Sequence, residues 1–185
     1  MNRPIEKKQG LEIWTAPADG NPLKHFMSWI KSHAPRSRFS NADDKTTLMR
    51  HMSLLDNLLM ALEEGYIEGT YQDKESLLAE RLEAQGLKEL SSWFQDPRRH
   101  YEALSAQEKF IASVCHALLR PAERTFIDME KVLLDPLCLK HLQQTLLLKS
   151  LERHIVVRLG VLDNWYELGL VEFSMANDKP KSRAS

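Results

Sequence analysis

The sequence predicts an α/β domain: a mostly parallel sheet flanked by helices. Three observations carry that expectation. From residue 105 onward helical and extended patterns alternate, which is how parallel strands are connected. The extended runs "RTFIDM" (124–129) and "HIVVRLGV" (154–161) are short and apolar, as buried strands are. The helices among them carry start signals of the expected chemistry.

Taken in order, residues 1–10 are a polar, charged lead-in. "LEIWTA" (11–16) is a strand candidate, and "PADGNP" (17–22) stacks Pro, Asp, Gly and Asn into a turn. Leu23, Phe26, Met27 and Ile30 then recur at helical spacing over 23–33. The polar stretch 34–47 reads as a linker, and 48–65 as a helix stopped by Gly65. Residues 73–94 hold a helix, a break at Gly86 and a second short helix; 95–103 is loop. "SAQEKFIASVCHALLR" (105–120) opens with Ser105 and, three positions on, Glu108, a capping box. Phe110, Ile111, Val114, Ala117 and Leu118 give that helix one apolar face. Asp135 caps a helix with Pro136 at its favoured first position, running through "LCLKHLQQTLLLKSLE". "DNWYEL" predicts a helical turn and "GLVEFSM" (169–175) a last strand.

At 185 residues the chain suits a single domain with a real core, expected over 11–176, with 177–185 a disordered tail. The net charge of −1 argues against broad nucleic-acid binding. Two cysteines, Cys115 and Cys138, lack metal-ligand spacing and read as buried thiols in a reducing compartment. No window approaches 18 uninterrupted apolar residues, and the first ten lack the apolar stretch of a signal peptide. The expectation is a cytoplasmic protein that can sit at the inner face of a membrane only through a partner.

Residues 104–136 resemble the ATP-binding subunits of ABC transporters. "LSAQE" (104–108) stands where that family carries its signature loop, "TFID" where the Walker B strand ends, and "LLDP" (133–136) where the D-loop does. Leu104 to Asp128 is 24 positions and Asp128 to Asp135 is 7, both in the family's register. "MSLLDNLLMAL" (52–62) resembles the segment after the Q-loop, and "LLAERLEAQGLKEL" (77–90) the run before the signature. "ELGLVEFSMA" resembles the strand after the switch histidine. The resemblance implies a P-loop NTPase-like (ABC ATPase-like) sheet, a helical subdomain over about 48–120, and a reduced N-terminal β-subdomain that no longer stacks adenine.

The same resemblance locates what is missing. A P-loop needs backbone N–H groups around phosphate, a lysine, and a Ser/Thr for Mg²⁺. The degenerate P-loop here would comprise Ala16, Gly20, Pro22 and Lys24: Pro22-Leu23 replaces the Lys-Ser/Thr pair, and Lys24 is out of place. Proline offers neither an ammonium nor an N–H. The signature-like segment comprises Leu104, Ser105 and Gln107; Ala106 and Gln107 stand at the two glycine positions, and Ser105 reads first as a helix cap. Asp128 keeps the Walker B position; Met129 takes the catalytic glutamate's, and a thioether is no base. Glu130 comes one residue late, on a different face of the strand end. The stretch Asp43–Lys45 offers no Q-loop glutamine, and the switch histidine would fall near Gly160–Val161; His154 lies inside the strand.

The implied protein is a pseudo-ATPase with no catalytic residues, no metal and no cofactor. Its partners would be an active ABC ATPase subunit, a membrane permease or a second copy, with no nucleic acid and no membrane insertion. Two alternatives stand beside it. One is a weak ATPase half-site, with ATP and Mg²⁺, completed by a partner through Asp128 and Ser105. The other is an unrelated cytoplasmic adaptor, which would not place Pro22 and Asp128 at the same edge of one sheet. The basic run "DPRRHYEAL" (96–104) reads as a solvated loop ahead of an anion site, and the Met/Leu stripe of 50–62 as core ahead of interface.

Overall fold

The computed structural model describes residues 10–14, 22–33, 36–43, 48–62, 69–130 and 132–159. Among these residues four strands make one sheet: β1 (Leu11–Trp14), β2 (Phe39–Ala42), β3 (Arg124–Asp128) and β4 (His154–Arg158). Their spatial order is β1-β4-β3-β2, and every neighbouring pair is parallel. Parallel strands need crossovers, and helices supply them: α1 (Pro22–His33) between β1 and β2, and α6 (Pro136–Ser150) between β3 and β4. The excursion from β2 to β3 holds α2 (Leu54–Met60), α3 (Tyr71–Ala84), α4 (Lys88–Ser91), a 3₁₀ turn (Tyr101–Ala103) and α5 (Ala106–Leu119).

Side chains alternate across a strand, so each face of the sheet has its own set. The cross-strand partners Phe126 and Val156 bury Phe26 and Ile30 of α1, with the Phe26 and Phe126 rings stacked at 5.0 Å. Ile127, Ile155 and Val157 face the other way, into the main core with Cys115 of α5 and Cys138 and Leu142 of α6. Helix α5 packs over β2 and β3, α6 over β4 and β1. Because α1 leads from β1 to the parallel β2, Pro22 starts at the carboxyl edge of the sheet, the edge at which Asp128 ends β3.

The linker expected over 34–47 contains a strand. β2 has only Phe39 and Ala42 as apolar residues, too few to read from periodicity. Its pairing with β3 makes it a strand, and the Ser40 and Thr125 hydroxyls, 3.0 Å apart and buried, join across it. The small Ser40 and Ala42 also let α5 come close. The helix expected over 48–65 is shorter, starting only after Ser53. Asn57 holds the preceding turn: its Oδ1 accepts from the Met49 N–H (2.6 Å), and its Nδ2 donates to the Met49 and Ser53 carbonyls. Those local bonds compete with a longer helix and win.

Helix α3 begins at Tyr71, two residues ahead of the expected start, because Thr70 and Asp73 form a capping box. It ends at Gly86, whose φ of +65° a side chain would resist. The Gly86 N–H donates to the Glu83 carbonyl and the Leu87 N–H to Leu82, a Schellman motif that turns Leu87 into the core. The expected helical turn at 162–167, the strand at 169–175, the stop at Gly65 and the tail at 177–185 fall outside the described residues.

Both cysteines are free and buried, as expected; burial pushes the Cys138 thiol up to about 11 and Cys115 higher still. Burial, with the charge of Arg120, lowers His116 of α5 to about 4, and its Nδ1 has no hydrogen-bond partner among the described residues. A histidine depressed in the folded state favours unfolding as it must take up a proton, so its effect is absent above the unfolded value of 6.5 and grows as pH falls toward 4. Urea titrations between pH 7 and 4 should lose of order 1–2 kcal/mol to this residue, allowing for partial solvent screening. His116→Gln should flatten that limb of the pH profile.

Candidate functional site

Polar side chains converge where β3 and β4 end, at the carboxyl edge of the sheet, which in open α/β sheets is where sites form. Asp128 is the last residue of β3 and Arg158 the last of β4, and the two are register partners. Alternation puts both on the face of Phe126 and Val156, toward α1. Arg158 is 3% exposed, and its Nη1 lies 3.2 Å from Asp128 Oδ2 while its Nη2 lies 2.9 Å from Glu130 Oε1. The Glu130 N–H donates to Asp128 Oδ1 (3.1 Å), closing a turn that holds the two carboxylates around one guanidinium.

Met129 points the opposite way. Its N–H donates to the Arg158 carbonyl (2.8 Å), and its side chain is buried in the main core beside the residues that face α5 and α6. A residue at this place therefore reaches the core and not the carboxylate pair. Arg158 was not among the residues singled out from sequence. Its one signal is a basic residue closing an apolar run, "HIVVR", and that signal has meaning only once β4 is known to lie beside β3.

A second cluster joins the starts of α5 and α6. Ser105 is the N-cap of α5: its side chain accepts from the Glu108 N–H (3.2 Å), and its own N–H donates to Glu108 Oε2 (2.8 Å). Leu104 is buried in the main core. Gln107 Oε1 accepts from the Asp135 N–H (2.7 Å), and Asp135 in turn accepts from the N–H groups of Leu137 and Cys138 as the N-cap of α6. Leu133, next to that cap, is 94% exposed and Leu137 54%. The structure thus brings Ser105, Gln107 and Asp135 into one capping network. Lys24 is an exposed residue of α1, Pro22 is that helix's first residue, and Ala16 and Gly20 fall outside the described residues, as do Lys45 and Gly160–Val161.

Burial would raise the Glu108 carboxyl, but hydrogen bonds from Ser105 and the charge of Arg99 outweigh it and hold it below the ordinary glutamate value. Arg99 Nη1 reaches Glu108 Oε1 at 2.7 Å. Arg98 pairs with Glu75 of α3. The basic run 96–104 is therefore a clamp with ion-pair partners on two helices, and its carbonyls at Pro97 and Arg99 accept from the first N–H groups of α2, Leu55 and Leu54. The loop is also largely exposed, with Asp96, Arg98, His100, Glu102 and Ala103 at the surface, as the solvated-loop reading expects.

A parallel sheet with helices on both faces and polar residues gathered at its carboxyl edge defines the class, an open α/β domain. Within that class the fold is that of the ATP-binding cassettes of ABC transporters. A dimeric post-hydrolysis structure of the ATP-binding cassette MJ0796 bound to ADP and Pi matches at a TM-score of 0.54 and 14% identity, covering 70% of this chain and 55% of its own. A metal-chelate-type ABC transporter in an inward-facing conformation matches at 0.58 and 12%, covering 84% and 65%. A dimeric structure of MJ0796, described as a bacterial ABC transporter cassette, matches at 0.53 and 14%, covering 76% and 58%. This chain therefore spans less than two thirds of the length of each, and the likeness is one of fold. No family model and no curated protein sequence matches the chain.

The two roles weighed for Ser105 separate by measurement. As a cap, Ser105→Ala should cost about 1 kcal/mol in chemical denaturation, while Ser105→Asp, which caps equally well, should cost a few tenths at most. A Ser105→Asp chain as destabilised as the alanine variant would count against the capping role.

Proposed function

We propose that this chain is a non-hydrolysing homologue of ABC ATP-binding subunits that works by docking. Its partner would be an active ABC ATPase subunit, a membrane permease or a second copy, and its role that of an interaction or regulatory subunit. In this reading residues 11–176 are one degenerate cassette domain, with its helical subdomain at about 48–120.

The observation that supports it most directly is Met129. The register with the cassette family assigns that position to the glutamate that polarises the attacking water. Here a thioether fills it and is buried in the main core, where a carboxylate would be costly. The neighbouring carboxylates do not stand in for it, because Asp128 and Glu130 are both engaged by Arg158. The replacement of the P-loop Lys-Ser/Thr pair by Pro22-Leu23 points the same way. Among the described residues no helix is long and apolar enough to cross a membrane.

The stripe around α2 suggests where docking occurs. Leu54, Leu55, Leu58 and Leu59 are buried in the core, whereas Met49 and Met60, at the two ends of this segment, are 44% and 48% exposed. Methionine adapts to irregular apolar surfaces, which suits a docking contact. In the cassette family this region lies beside the groove that receives the permease.

Titration of the purified chain with labelled ATP and Mg²⁺ should give no saturable binding, and micromolar binding would overturn the proposal. Met129→Glu should produce no hydrolysis and a less stable chain; a gain of hydrolysis would favour the weak half-site instead. In co-purification from cells, the paired substitution Met49→Glu and Met60→Glu should remove the bound partner without lowering the melting temperature. A partner retained by that variant would place the docking face elsewhere.

A further inference from the structure

The fold family implies a divalent cation at the carboxylate that ends β3, and the residues present do not fit one. Magnesium needs several hard oxygens in near-octahedral array with room for its waters. Among the described residues, the carboxylates that meet Arg158 are those of Asp128 and Glu130, and both side chains are already turned onto it. Its guanidinium presents rigid donors in a fork that carboxylates match closely. A metal bound to the same carboxylates would have to sit against a fixed positive charge held at their surface, in a place where water screens it poorly.

We propose that Arg158 is a built-in cation, replacing a bound metal and closing the carboxylate pair to divalent ions. Three features of the structure carry this. Arg158 is almost wholly buried, so its charge requires partners inside the protein. Among the described residues it has two, Asp128 across the strand pair and Glu130 in the following turn, while its Nε has no hydrogen-bond partner there. The site is also locked by backbone: register pairing sets Arg158 beside Asp128, the Met129 N–H holds the Arg158 carbonyl at 2.8 Å, and the Glu130 N–H holds Asp128 Oδ1. The arginine is delivered by the fold itself, on a strand, so it cannot leave as a diffusible ion can. This inference stands apart from any docking partner.

If Arg158 occupies the place of a metal, removing its charge should create a metal site. The test is Mn²⁺ binding by the full chain, read by electron paramagnetic resonance. The unaltered protein should show no Mn²⁺ site that depends on Asp128 at millimolar metal. Arg158→Gln should gain one site at least tenfold tighter than any in the unaltered protein, and adding Asp128→Asn should abolish it. An Asp128-dependent site in the unaltered protein, or a folded Arg158→Gln chain that binds no better, would overturn the proposal. If Arg158→Gln fails to fold alone, 10 mM Mn²⁺ should restore its folding where NaCl of equal ionic strength does not, and Arg158→Lys should fold without metal. Failure of Mn²⁺ to rescue folding in that case would equally overturn it. The outcome is independent of the ATP titration and of co-purification, so the two readings can fail separately.

Discussion

Strand β3 is covered on both faces, and the alternation of its side chains governs what every neighbouring element can do. Phe126 and Asp128 belong to the face of α1, Ile127 and Met129 to the face of α5 and α6. A shift of one residue in its pairing with β4 would drive Asp128 into the main core and bring Met129 beside Arg158. That outcome would bury a carboxylate without its cation and leave the cation without its carboxylate. The register is therefore enforced twice, by apolar packing along the strand and by charge at its end.

Several of the described charged residues hold parts of the chain to one another. Arg99 joins the loop before α5 to the α5 capping box through Glu108, Arg98 ties the same loop to α3, and loop carbonyls cap α2. Lys149, 5% exposed in α6, reaches Gln85 at the end of α3 and Glu152 beyond its own helix. Individually, surface ion pairs contribute little. Here several of them close loops between helices whose apolar faces are already packed, so they act on orientation more than on total stability.

The two ends of the sheet edge differ in character. At β3 and β4 the carboxylates of Asp128 and Glu130 pair with Arg158, and at α5 and α6 the polar groups are consumed by capping. In both places groups that the sequence motifs present as chemistry are used as structure.

The sequence by itself determined the features that are local or periodic. The α/β class, the Ser105–Glu108 capping box, the Asp135–Pro136 helix start, the Gly86 break and the apolar cores of β3 and β4 all follow from spacing within a few residues, since caps and amphipathic faces are short-range physics. Tertiary structure alone decided β2, whose four residues become a strand only through pairing with β3. It alone decided the start of α2, set by Asn57 and by loop carbonyls more than forty residues downstream. Above all it decided the meaning of Arg158, thirty residues from Asp128 in the chain and next to it in the sheet. No periodicity in a single strand can announce a partner that arrives on another, so the charge that fills the site became visible only when the two strands were laid side by side.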